Sequence, residues 1–203
     1  MDYSSRKSPF LPWTVCRDKR APDRLATVAI VLLVAILAAC PVSVADAASV
    51  EAKVKSAYLY NLLRRTTWPD SMFKDENSPY RVAVLGRDNL EGLLEKIAKK
   101  KKVNKRSIVF QRLKSIDQYQ PCHMLYVPGY VTPEEQQAVL KKTSRTPCLV
   151  VGDTPGFARA GATANFVDRE DGTIGIELNL PQAKKRHLKF DQQLLEVAEI
   201  LGD

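Results

Sequence analysis

Apolar positions recur at helical spacing from Val50 to Leu63 and then stop. Val54, Ala57, Tyr58, Leu59, Asn61 and Leu62 surround a stripe of roughly i, i+3, i+4, i+7 periodicity, which leaves Lys53, Lys55, Arg64 and Arg65 for the opposite side or the helix end. Basic residues in a last turn suit the helix C-terminus electrostatically. Pro69 then holds Trp68 extended and prevents the helix from continuing.

Beyond this helix the pattern changes to short β-branched runs. "YRVAVLG" (80–86), "RSIVFQRL" (106–113), "CHMLYVP" (122–128) and "PCLVVGD" (147–153) read as strands. Helical spacing returns in "DNLEGLLEKIAKKKK" (88–102) and in "TPEEQQAVLKKT" (132–143), where Thr132 is the expected N-cap and Pro133 opens the helix. Strands alternating with helices of this length imply crossover units and a mainly parallel sheet. The tail breaks this alternation. Residues 162–169 and 173–180 alternate around the turn residues 170–172, predicting a β-hairpin, and 191–201 predicts a short closing helix capped by Asp191. The fold class expected is a single α/β domain, Rossmann-like, with a mainly parallel sheet flanked by helices, a C-terminal hairpin and a closing helix.

The first 47 residues stand outside that domain. Residues 25–39 form an uncharged apolar run of 15, preceded by Arg17, Lys19, Arg20 and Arg24 and followed by Ala45-Asp46-Ala47. This is the build of a secretory signal, with cleavage before Ala48, so the expected division is a leader at 1–47 and a domain at 48–203. "LAAC" (37–40) offers a second exit, a lipoprotein box in which Cys40 is lipidated. An uncleaved membrane anchor is the third reading.

Charge and cysteine content change the picture only after export is considered. The whole chain carries 31 Lys and Arg against 23 Asp and Glu, and residues 48–203 keep a net charge of +6. Outside the cytoplasm nucleic acid is excluded as a partner, and this charge suits an acidic protein face or anionic lipid. The densest run, "KKKKVNKR" (99–106), reads as a solvated helix end or as a docking patch for either of these. Cys122 and Cys148 are the cysteines left in the domain, an even pair in an oxidising space, expected either as a disulfide or as two buried thiols.

Catalytic chemistry finds little support. Cys122 and His123 are adjacent in a strand, so their side chains point to opposite faces. His187 sits in a basic patch, and no spacing matches a metal site, so no metal or cofactor is expected. Asp168, Glu170 and Asp171 flank a hairpin turn, where acidic residues are ordinary. Gly86 follows the first long strand without a phosphate-binding glycine pattern. The composition left for binding is aromatic and arginine: Trp68 with Arg64 and Arg65, and the glycine-alanine loop 156–166 around Phe157. These four residues are the expected partner-binding set.

"AYLYN" (57–61), "WP" (68–69), "VAVLG" (82–86), "CHMLYV" (122–127), "VVGDTPGFARAG" (150–161), "NF" (165–166), "IELNL" (176–180) and "LKFDQQLLEVA" (188–198), in this order, resemble the YfiR-like family of exported bacterial proteins. The likeness covers about residues 50–201. It implies a periplasmic, non-enzymatic repressor of a membrane-bound diguanylate cyclase, acting on the sensor domain that the inner-membrane enzyme exposes to the periplasm. It also implies that disulfides tune activity. Arg64-Arg65 depart from the aromatic or apolar residues usual before the Trp-Pro pair, and Ala162 stands where a second glycine is common. A homodimer stays open, and the alternative function is a periplasmic small-ligand binder using the strand ends near Gly86, Arg87 and Asp153.

Overall fold

A computed structural model describes residues 44–87 and 89–202. The apolar run 25–39 and the lipid-anchor candidate Cys40 lie outside the described residues. Cleavage before Ala48 would fall within the first turns of the opening helix, α1, which spans Val44–Arg65.

α1 is followed by a two-residue strand, β1 (Thr66–Thr67), and by the first long strand, β2 (Tyr80–Leu85). Then come α2 (Leu93–Lys100), β3 (Ile108–Leu113), β4 (Met124–Val127), α3 (Pro133–Thr143), β5 (Leu149–Gly152) and α4 (Phe157–Ala160). The hairpin strands are β6 (Ala164–Asp168) and β7 (Ile174–Asn179), and the tail holds α5 (Leu180–Lys185), β8 (Lys189–Phe190), α6 (Gln192–Leu195) and β9 (Glu199–Leu201). Seven strands form one sheet in the order β3-β2-β4-β5-β6-β7-β9. All neighbours are parallel except β6 and β7, where Phe166 stands opposite Ile176. The first five of these strands follow the flavodoxin-like order, whose switch point lies between the C-terminal ends of β2 and β4.

The apolar runs of the strands are near-continuous because both sheet faces are covered. Val82, Val84, Met124, Tyr126, Leu149 and Val151 face a core closed by Leu59, Leu62 and Leu63 of α1 and Leu94 and Ala98 of α2. The alternate residues Ala83, Leu85, Leu125, Val127 and Val150 face a second core with Val139 and Phe157. Thr132 accepts from the Glu135 amide and Glu135 returns the bond, so the expected cap of α3 is a full capping box.

Two expectations need correction. The closing helix is a single turn, Gln192–Leu195, still capped by Asp191; the chain then extends and pairs with β7, Leu178 opposite Ile200. β7 would otherwise leave its outer amides and carbonyls unpaired, and pairing them outweighs the helical spacing of 191–201. α2 starts only at Leu93, because Glu91 and Gly92 both take left-handed backbone, with φ of 52° and 70°.

Candidate functional site

The end of α1 carries three of the four residues expected to meet a partner, and the structure separates them. Arg64 is exposed, with its guanidinium carbon 5.6 Å from the centroid of the Tyr60 ring, a cation–π arrangement. Arg65 donates to Asp191 at 2.9 Å and to Gln193, and its carbonyl accepts from the Asp191 amide. β1 and β8 pair beside it, Thr66 opposite Phe190, so the tail is tied across the helix end.

Trp68 turns inward. It is 5% exposed, and its indole donates to the His123 carbonyl at 3.1 Å. Phe157 is 2% exposed and belongs to the core on the other face of the sheet. Its ring lies so close to Gly152 that a Cβ there would come within 2.1 Å of Cδ1. The expectation of Trp68 and Phe157 as surface aromatics is therefore corrected: each fills a core that a sheet with two covered faces must close. The pair stands on opposite sides of the sheet, and only Arg64 and Arg65 remain together near the surface.

A residue that the sequence pattern misplaces ties the middle of α1 to the C-terminal end of the sheet. Lys55, expected on the outward side of α1, is 6% exposed, and its ammonium lies 2.7 and 2.9 Å from the two carboxylate oxygens of Asp153, just beyond β5. Asp153 also accepts from Asn89 at 3.0 Å and from the Tyr126 hydroxyl at 2.9 Å, and Lys55 donates to Glu51 at 2.5 Å. These hydrogen bonds to carboxylates outweigh the burial that opposes its charge and hold the Lys55 pKa above the ordinary lysine value. The signal is present in the sequence: Ala52, Lys55, Leu59 and Leu62 share one helical stripe, so a lysine in that register faces the sheet. It requires an acid, and the acid is the one closing "VVGD".

The same bonds bear on the strand ends near Gly86, Arg87 and Asp153. The Asp153 carboxylate is fully engaged, and the Tyr130 hydroxyl sits where a Gly86 Cβ would be, 2.1 Å from that position, within 3.4 Å of the Leu85 carbonyl. Arg87 is exposed. The switch-point crevice is occupied by the protein's own side chains.

Cys122 and Cys148 lie side by side in the second core, both buried, with sulfurs 3.7 Å apart. In this structure they are thiols, since a bridge would need about 2.05 Å. The neighbouring Cys148 sulfur, then burial, push the Cys122 thiol well above its ordinary range. Burial raises Cys148 too, but its hydrogen bonds with Cys122 and Tyr119 outweigh that and lower it. On the other face of the sheet His123 is enclosed by Trp68, Phe73 and Tyr80, with ring centroids 4.7 to 5.6 Å away. Its Nδ1 accepts from the Arg81 amide at 2.9 Å, while its buried Nε2 has no partner. Burial, then the charges of Arg81 and Arg106, lower its pKa to about 4.

Among the described residues no group of three or more His, Cys, Asp and Glu could hold a metal ion, and no helix is long and apolar enough to cross a membrane. The arrangement fixes a helix to a sheet and leaves that helix's basic end outward, which is a geometry for binding. A protein-family model described as YfiR/HmsC-like matches residues 52–199. A search of curated proteins returns no match.

Proposed function

The chain belongs to the YfiR/HmsC-like family, and on that premise we propose that it is a periplasmic regulator of cyclic di-GMP signalling that represses a membrane-bound diguanylate cyclase by binding the enzyme's periplasmic sensor domain. The observation that carries the docking face is the exposed guanidinium of Arg64 beside Tyr60, next to Arg65. An arginine with an aromatic neighbour is the commonest composition of an interface hot spot. Tyr60 supplies the aromatic part that Trp68, being interior, does not.

The helix that carries this face is fixed from beneath, by the Lys55 pair midway along it and by the Trp68 anchor just past its C-terminal end. A preorganised surface loses little freedom on association. To repress, the protein must bind the inactive conformer of its target more tightly than the active one, and a bias of about 3 kcal/mol shifts the ratio roughly 150-fold. The buried cysteine pair is the release control in this reading: a bridge between Cys122 and Cys148, formed as two electrons and two protons pass to a disulfide oxidant of the periplasm, holds the repressing form, and its reduction by a thiol reductant releases the target.

Binding of the purified regulator to the isolated sensor domain, measured with and without Arg64→Ala and Arg65→Ala, tests the reading. Loss of affinity in a normally folded double variant is the expected result.

A further inference from the structure

A groove of about 210 Å³ runs between α1 and α2, lined by Lys53 and Ser56 of one helix, by Leu93, Lys96, Ile97 and Lys100 of the other, and by Lys101 just beyond it. Leu93 and Ile97 make the floor apolar, while the rim is cationic. Lys96 and Lys100 are one turn apart and so rise from one side of α2. Lys53, Lys96, Lys100 and Lys101 are all exposed, and none has an ion-pair partner among the described residues, whereas Lys99 is held by Glu95 at 2.8 Å.

Four like charges around one cleft repel each other and call for an anion. A second observation points the same way: Ser56, on the groove wall, is 1% exposed, and its hydroxyl has no hydrogen-bond partner. A buried hydroxyl left in that state is costly unless an incoming group completes it.

The chemistry of the rim selects among anions. The groove is smaller than the roughly 300 Å³ at which drug-sized ligand sites begin, so a complete soluble ligand would not be enclosed. Lysine is depleted at protein interfaces, where arginine is enriched. Lysine also lacks the planar fork that recognises one carboxylate geometry. Lysine clusters beside a shallow apolar surface are instead the composition that holds anionic lipid headgroups, each contributing a factor of about five in affinity. We propose that the α1–α2 face docks on an anionic phospholipid bilayer, with Lys53, Lys96, Lys100 and Lys101 on the phosphates and the Leu93–Ile97 floor against the glycerol and upper acyl region. This does not depend on the identity of the protein partner; it would keep the regulator beside a membrane enzyme.

Sedimentation of the full chain with vesicles tests it, comparing pure phosphatidylcholine with a mixture containing phosphatidylglycerol. The readout is the part of the anionic-lipid gain that the groove lysines account for: insertion of the N-terminal apolar run or of a lipid anchor is common to both vesicles, and the pull of the leader's Arg17, Lys19, Arg20 and Arg24 is common to the protein and its groove variants. The expected gain is large and collapses near 1 M salt, where the screening length is about 3 Å. Lys96→Gln with Lys100→Gln should reduce it about 25-fold, and Lys53→Gln alone about fivefold. Both variants change exposed positions, and their melting temperatures report on folding. Equal binding to the two vesicles, a gain that survives high salt, or full anionic binding by folded variants would each overturn the proposal; an acidic protein ligand would then be the occupant of the groove.

Discussion

Lys55 and Asp153, 98 residues apart in sequence, form a buried ion pair with a shortest contact of 2.7 Å, and the two side chains are 7% and 9% exposed. It joins the first helix to the end of a central strand. The carboxylate also serves Asn89 and Tyr126, so removing either charge leaves a network and not only one partner unsatisfied.

Lys55→Ala should therefore destabilise the fold by about 3 to 5 kcal/mol, the range for an uncompensated buried charge. Asp153→Asn should cost a comparable amount, and the two together less than their sum. Urea unfolding of the three variants checks this. A loss under about 1 kcal/mol for Lys55→Ala would mean that the pair behaves as a surface bridge.

This pair also marks the limit of what pattern can show. The strands and the hairpin are legible because β-strands covered on both faces must be apolar at nearly every position, and Thr132-Pro133 states a helix start chemically. Lys55 escapes a reading from pattern because a charged residue on an apolar stripe is usually taken to lie at its margin, and its acid is far away in sequence. Trp68 gives no local sign of its direction: Pro69 fixes its backbone, but the acceptor that draws its indole inward, the His123 carbonyl, comes from another strand. The tail at 191–201 has helical spacing, and only the unpaired edge of β7 explains why it becomes a strand.

His123 makes stability depend on pH. Its folded pKa is near 4 against about 6.5 unfolded, so between these values the unfolded chain binds more protons than the folded one. Its contribution is thus fully present above pH 6.5 and falls by up to about 3 kcal/mol as pH drops towards 4. The neighbours that face it are the cations Arg81 and Arg106 and the neutral Trp68, Phe73 and Tyr80, so among the described residues no acid compensates. His123→Asn, which keeps an acceptor for the Arg81 amide, should melt with a flatter pH profile between 6.5 and 4. Parallel profiles for the two proteins would contradict the assignment.

Closing Cys122 to Cys148 would join residues 26 apart, worth about 3 kcal/mol by the loop-entropy estimate before any strain. The protein recovered from the periplasm should carry no titratable thiol at these positions and should melt lower after reduction. Two free thiols in the native, unreduced protein would remove the redox control from the account.

The central claim is that the end of α1 docks on a cyclase sensor domain. Arg65 shares a partly exposed bridge with Asp191, worth no more than about 1 kcal/mol, and Arg64 rests on Tyr60, so replacing both should leave the fold intact. The most direct measurement is the affinity of the Arg64→Ala, Arg65→Ala variant for the sensor domain, taken alongside cellular cyclic di-GMP. The account predicts an unchanged melting temperature within a few degrees, affinity lower by at least about 30-fold if the pair is a hot spot of 2 kcal/mol or more, and raised cyclic di-GMP. Undiminished affinity and normal repression by the folded variant would contradict it.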